Sequence, residues 1–388
     1  MRVLAGVLLG SSVLLGLAAL KVRSLRSQGA ASWHSSLPVF KLKNANGMEV
    51  HVSTFGAAIL KVVVPDKAGK KADVVLGYGS VEEYETANPV TYFGVVVGRV
   101  ANRIANARFS LEGVDYRLLA NNGPNALHGG LKGLHKRRWE GRKVADDDGN
   151  ESVQLHYTSP EGEEGYPGTL HVHVTYTLLK STNELRTSIV ATTDEATPVN
   201  IAQHSYFNLG GHASGTILGH TLRLVGADHY TPVSDKLIPT GEIAPVAGTP
   251  FDFTSPQTIG SRIDKVPGAA PGGYDHNFVL FGMGPQAKFI AKNGMASDKP
   301  KLAATLVDPA SGRAMDVLTT APGVQFYSGN FLDGSSVGKG GVRYGKHAGL
   351  CLETQGFPNA INEPKFPSIV LQPQDTYHHE IVYRFYNV

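Results

Sequence analysis

The chain has 388 residues, 41% hydrophobic and 18% charged, which is the balance of an ordinary globular protein with length for one large domain or two smaller ones. A formal charge of only +3, with Lys and Arg scattered among acidic residues, leaves no basic footprint and excludes nucleic acid as an expected partner. A single cysteine, Cys351, cannot close an internal disulfide, and no Cys/His spacing resembles a zinc site, so Cys351 reads as an inert, half-buried thiol.

The amino-terminal segment, 1–26, reads as a targeting sequence. Arg2 precedes an almost uncharged run at 3–20, and Lys21, Arg23 and Arg26 follow it. Gly6, Gly10, Ser11, Ser12 and Gly16 dilute the run, which favours a cleaved signal peptide and a secretory or extracellular destination. Its length would also cross a bilayer, so a signal anchor is the alternative, and a membrane is expected as a partner only if the segment is retained. The sequon Asn150-Glu151-Ser152 is compatible with a secretory route. Residues 27–36 are small and polar and read as a linker, and 37–388 shows no composition break or internal repeat, so it is expected to be one domain.

Within that domain, 39–43 and 48–55 flank Asn44-Ala45-Asn46-Gly47 as strand, turn and strand, because Asn-Gly accepts the positive φ of tight hairpins. Residues 109–116 repeat the pattern. Only 81–87 looks helical. The clearest alternation is Leu170, Val172, Val174, Tyr176 and Leu178, separated by His171, His173, Thr175 and Thr177. Further strand-like runs stand at 152–158, 184–192, 221–225, 302–307, 315–320 and 381–386. No βαβ rhythm appears, and the 45 glycines and 22 prolines fit many tight turns, so the expected fold is all-β, a large antiparallel β-sandwich.

Four segments carry more functional groups than turns or cores require. Gly98-Arg99-Val100-Ala101-Asn102-Arg103-Ile104 sets arginines and an amide in an apolar stretch, suited either to holding sugar hydroxyls or to a structural arginine pairing a loop carboxylate. His128 lies in the glycine-rich loop Asn125-Ala126-Leu127-His128-Gly129-Gly130, where a lone histidine usually belongs to the surface. His204 is surrounded by hydrogen-bonding and aromatic residues in Gln203-His204-Ser205-Tyr206-Phe207-Asn208, as either a site residue or a satisfied core histidine. Glu353 follows three apolar residues in a strand, where a carboxylate must be solvated, paired or functional. His171 and His173 form an H-x-H pair on a polar strand face without an obvious third ligand in sequence, which points to solvated residues rather than a metal site. His378 and His379 point to opposite faces of a strand and cannot form a simple chelate.

Together these segments resemble the aldose 1-epimerase family. The resemblance runs from about residue 37 to the end, adding Tyr274-Asp275-His276-Asn277-Phe278 and Gly323-Val324-Gln325-Phe326-Tyr327 in the family's order. It departs from the family's usual pattern at Pro358-Asn359-Ala360 and Pro373-Gln374-Asp375. It implies the mutarotase supersandwich, an aldose sugar as small-molecule substrate, and anomer interconversion with no cofactor and no metal. It implies Glu353 as general base and His204 as general acid. Asn102, Arg103, His128, Asp275 and Gln325 are the implied sugar-holding residues, with Ser205 and Tyr206 beside the acid. The rival readings are a hexose-6-phosphate epimerase, which would need extra cations around a phosphate, and a sugar-binding module, which would need no matched acid and base.

Overall fold

Alternation sets the architecture. In the strand Leu170–Leu178, Leu170, Val172, Val174, Tyr176 and Leu178 are buried while His171 and His173 are exposed, so one face meets a core and the other meets water. The computed structural model describes residues 37–87, 91–268, 271–281 and 294–388; the leader and linker expected at 1–26 and 27–36 lie outside the described residues. Among these, the strand is third in a nine-stranded antiparallel sheet. The order is Glu140–Ala145, Glu151–Ser159, Leu170–Leu178, Glu184–Thr193, Tyr377–Asn387, Arg313–Thr319, Lys301–Val307, Thr221–Leu224 and Gln257–Thr258.

The expected strand at 381–386 proves to begin earlier, at Tyr377. Its first turn of alternation is hidden in sequence because the inward position is polar. His379 is buried, with Nε2 2.9 Å from Thr354 Oγ1 and Nδ1 3.0 Å from the Ile201 carbonyl, while His378 faces outward.

A second antiparallel sheet runs Ala244–Pro245, His229–Thr231, Asp275–Val279, Gly323–Tyr327 and Cys351–Gln355. Phe278, Val324, Phe326 and Leu352 from this sheet share one continuous apolar core with Val172, Val174 and Tyr176 from the first. The two sheets therefore pack face to face as a sandwich. A four-stranded sheet, Val39–Lys43, Glu49–Ser53, Ile59–Pro65 and Lys71–Asp73, adds the hairpin expected at Asn44–Gly47, where Gly47 has φ 81°. The expected helix is Val81–Thr86, closed at its start by a reciprocal Ser80/Glu83 capping box.

Candidate active site

The strands Asp275–Val279, Gly323–Tyr327 and Cys351–Gln355 of the five-stranded sheet are buried on both faces, and the face turned away from the apolar core is polar. Strand register sets Asn277 opposite Gln325 and Gln325 opposite Glu353, with Asp275, Tyr327 and Cys351 in the adjacent row. Residues two apart share a face, so Asp275, Asn277, Gln325, Glu353 and Gln355 all project to this side. Such a concentration of buried carboxylates and amides is costly unless the groups are bonded or functional.

Two loop systems close over that face. His204 follows the strand Ala202–Gln203, which pairs with Val96–Val97, and the backbone of His204 is locked to the Val95 carbonyl and the Gly94 N–H, each at 2.9 Å. Phe207 then bonds the Leu350 carbonyl at 2.7 Å, tying the His204 segment to the start of the Glu353 strand. The second system joins Arg103–Ile104 to Ala126–Leu127. There Asn102 and His128 take positive φ, and a Cβ at Gly129 would lie 1.8 Å from the Gly98 carbonyl oxygen. Only glycine permits this backbone-on-backbone approach, and it turns His128 inward. His128 is buried, unlike the surface histidine its loop suggests.

These elements enclose a cavity of about 270 Å³. Asn102, Arg103, His128, His204, Tyr206, Asp275 and Glu353 line it together. Gln325 stands behind the wall, donating from Nε2 to Asp275 Oδ1 at 2.7 Å. Ser205 is not among the lining residues, and its buried Oγ has no hydrogen-bond partner among the described residues. Arg99 is a structural arginine, its guanidinium directed to Ser159, Pro160, Pro167 and Thr197 rather than to the cavity.

Thr91, Tyr92, Asn122, Phe331 and Leu332 also line the cavity, and the sequence carries no signal for them. Tyr92 packs its ring against His128, His135 and His204, with centroids 4.7, 4.9 and 5.7 Å away. Asn122 accepts from Arg103 Nε at 3.0 Å, which fixes the arginine. Phe331, 57% exposed, stands at the lip. The Asn-Asn-Gly-Pro run around Asn122 reads only as a turn, and nothing distinguishes Tyr92 from a core aromatic. Cys351 is fully buried, not half-buried, and its Sγ lies 3.6 Å from His204 Nδ1.

Among the lining residues, His204 Nε2 stands 3.6 Å from Glu353 Oε1. Glu353 Oε2 is buried and has no hydrogen-bond partner among the described residues, which leaves an acceptor for an incoming hydroxyl. Burial pushes Glu353 up to about 8, with the neighbouring Asp275 adding to the rise and Arg103 opposing it. Burial also raises Asp275 above the usual carboxylate range, opposed by Arg103 and Gln325, and drives His204 down to about 4. His128 is held well below the ordinary imidazole value by burial first and by His204 and Arg103 next.

His128, His204 and Glu353 each offer a ligand atom, all within 4.8 Å of one another. Two histidines and a carboxylate resemble a metal-binding set, but the bonding opposes it. The Asn102 backbone N–H donates to His128 Nδ1 at 3.2 Å, so neutral His128 carries its proton on Nε2, where a ligand would need a lone pair. The same bond suits His128 to donate to a substrate oxygen.

A sequence profile described as aldose 1-epimerase matches residues 38–384. The chain is 44% identical to a galactose mutarotase from Homo sapiens over 338 residues, 87% of this chain and 91% of the relative. It is 36% identical to an aldose 1-epimerase from Escherichia coli K12, with 89% and 94% coverage. The crystal structure of an aldose epimerase homologue from C. elegans superposes with a TM-score of 0.79 at 32% identity, covering 91% of this chain and all of that one. Fold, chain-long similarity and a polar cavity over the five-stranded sheet agree, and the chain belongs to the aldose 1-epimerase family.

Proposed function

We propose that this chain interconverts the α and β anomers of aldohexoses, galactose and glucose among them, with Glu353 as general base and His204 as general acid. Its family makes it an isomerase of carbohydrate metabolism. The observation that supports the two roles is the His204–Glu353 pair in the cavity lining, 3.6 Å apart and almost wholly buried.

Opening the ring requires a proton to leave the C1 hydroxyl and another to reach the ring oxygen as the C1–O5 bond breaks. Glu353 takes the first and His204 supplies the second. The pair holds one proton throughout: opening moves it from His204 to Glu353 by way of the sugar. After rotation about C1–C2, closure returns it. Burial, with Asp275 adding to it and Arg103 opposing it, favours the proton on the carboxyl, Glu353 standing at about 8 and His204 at about 4. The attraction of opposite charges 3.6 Å apart favours it on the imidazole. The two effects oppose each other, which narrows the difference between the two ends of the proton's path. Arg103, Asn102, His128, Asp275 and Tyr206 orient the sugar, and Gln325 steadies Asp275.

Polarimetry with α-galactose tests the assignment. Glu353→Gln and His204→Asn should each lower kcat by about 10²- to 10⁴-fold, the range for one proton-transfer group, with KM changed much less. The double variant should lose less than the product of the two. A folded Glu353→Gln enzyme with near wild-type turnover would remove Glu353 from the base role, and wild-type protein that binds galactose without turnover would favour a sugar-binding module instead.

The amino-terminal run supports a secretory or extracellular location. Mature protein from the native host is then expected to start downstream of about Ala19; an intact amino terminus in membrane pellets would favour the anchor.

A further inference from the structure

We propose that His156, His171 and His173 form a binding site for a divalent transition metal on the outer face of the nine-stranded sheet. In sequence His171 and His173 are a pair without a third ligand; the fold supplies one from the neighbouring strand.

His171 and His173 are two apart in the strand Leu170–Leu178 and share its exposed face. The antiparallel register with Glu151–Ser159 sets His156 opposite His173 and Thr158 opposite His171. His156 stacks on His173 with centroids 4.5 Å apart and on His171 with centroids 6.3 Å apart. Three imidazoles are the donor set of a three-histidine zinc site, in which each nitrogen stands about 2.0–2.1 Å from the metal and a fourth position is left for water. Such donors suit Zn²⁺, Cu²⁺ and Ni²⁺ rather than Mg²⁺ or Ca²⁺.

Two nitrogens of the set already turn to one point. Thr158 Oγ1 lies 3.4 Å from His156 Nε2 and 3.0 Å from His171 Nδ1, so the hydroxyl stands where a metal would bridge them. The rings are stacked, and side-chain rotation, Thr158 out and His173 in, completes the site. The ladder has set the spacing, because opposite residues hold their Cβ atoms about 4.5–5.5 Å apart. Glu140 lies opposite His156 on the next strand, with Oε2 3.9 Å from His156 Nδ1. A carboxylate on that side favours the proton on Nδ1 and the lone pair on Nε2, as the outer partners of metal-bound histidines do. Burial first, then His156 and His171, lower the His173 imidazole below its ordinary value, so it meets a metal with no proton to lose.

Calorimetric titration of untagged full-length protein with Zn²⁺ tests the site, with Mg²⁺ as the control. The wild type should bind one Zn²⁺ per chain saturably and no Mg²⁺. Glu140→Gln should weaken zinc binding about tenfold, and His156→Ala, His171→Ala and His173→Ala at least as much. Thr158→Ala removes the hydroxyl that competes for two of the nitrogens, and should tighten binding about three- to tenfold, the scale of one neutral hydrogen bond. All these side chains lie on the face of the sheet turned away from the core, so each variant should turn over galactose at the wild-type rate. Absence of saturable zinc binding would overturn the proposal. So would zinc binding that survives the three alanine substitutions; inhibition of mutarotation by that zinc would assign the ion to His128, His204 and Glu353 in the cavity instead.

Discussion

The backbone N–H of Asn102 donates to Nδ1 of His128 across 3.2 Å, and that bond leaves the buried imidazole with a donor, not a lone pair, facing the cavity. Asn102 and His128 both sit at positive φ, 60° and 51°, so the loops are shaped around this contact.

His128→Ala is therefore expected to raise KM about three- to tenfold, the loss of one neutral hydrogen bond to substrate, while kcat falls less. Activity should survive exhaustive chelation. Loss of activity on chelation, restored by one divalent ion, would mean that His128 can adopt the ligand tautomer and that the bonding pattern has been misread.

The shared proton of His204 and Glu353 sets a second expectation. The pair is competent while it holds one proton in total. Below about 4 the imidazole takes a second proton, and above about 8 the carboxyl loses the only one. Plotted against pH, kcat/KM should form a bell with limbs near those values, each belonging to the pair rather than to one residue. His204→Asn should abolish the acid limb in whatever activity remains. A profile that rises through pH 8 would show that the enzyme needs an isolated carboxylate and would exclude the single-proton cycle.

Arg99 and Arg103 lie four residues apart in one motif, yet they do different work. Arg99, 2% exposed, donates to the carbonyls of Ser159, Pro160 and Pro167 and to Ser159 Oγ at 2.8–2.9 Å. Lysine has one nitrogen and cannot reproduce that fork. Arg99→Lys should leave at least two buried carbonyls unpaired and cost about 2–4 kcal/mol, with KM for sugar unchanged in the folded fraction. Arg103→Lys should do the opposite, because its guanidinium is fixed by Asn122 and faces Asp275 at 4.0 Å. Its KM should rise with little change in stability. Urea unfolding beside polarimetry separates the two; equal stability losses would put both arginines in the scaffold.

That pair also marks where sequence reading stops. The sandwich was legible because Leu170 to Leu178 alternates without a break, and Glu353 was legible because a carboxylate after Leu350, Cys351 and Leu352 violates the pattern around it. What the chain conceals is lateral. Gln325 bonds Asp275 from a neighbouring strand 50 residues away in sequence, and Cys351 touches His204 across 147. His128 looks like a surface residue until Gly129 is seen packed on Gly98. Tyr92 is aromatic like many core residues, and only its contacts with His128 and His204 separate it from them.

The buried carboxyl that serves catalysis should also cost stability at alkaline pH. Glu353 has a pKa of about 8 in the folded chain against the ordinary 4.5, so the folded state holds a proton through that interval that the unfolded chain has released. By linkage, its contribution is fully present below 4.5 and is lost as pH rises through 8. The 3.5-unit difference corresponds to a few kcal/mol at most. His204 has the opposite sense: its folded pKa near 4 lies below the ordinary 6.5, so its contribution is present above 6.5 and is lost as pH falls through 4. Glu353→Gln removes the first dependence and leaves the second. Its melting temperature should stay near the wild-type value at pH 5, exceed it by several degrees at pH 9, and climb relative to it between those points. If the two melting curves keep a constant offset from pH 5 to pH 9, Glu353 is ionised in the folded enzyme across the whole range, and neither the raised pKa nor the shared proton can be maintained.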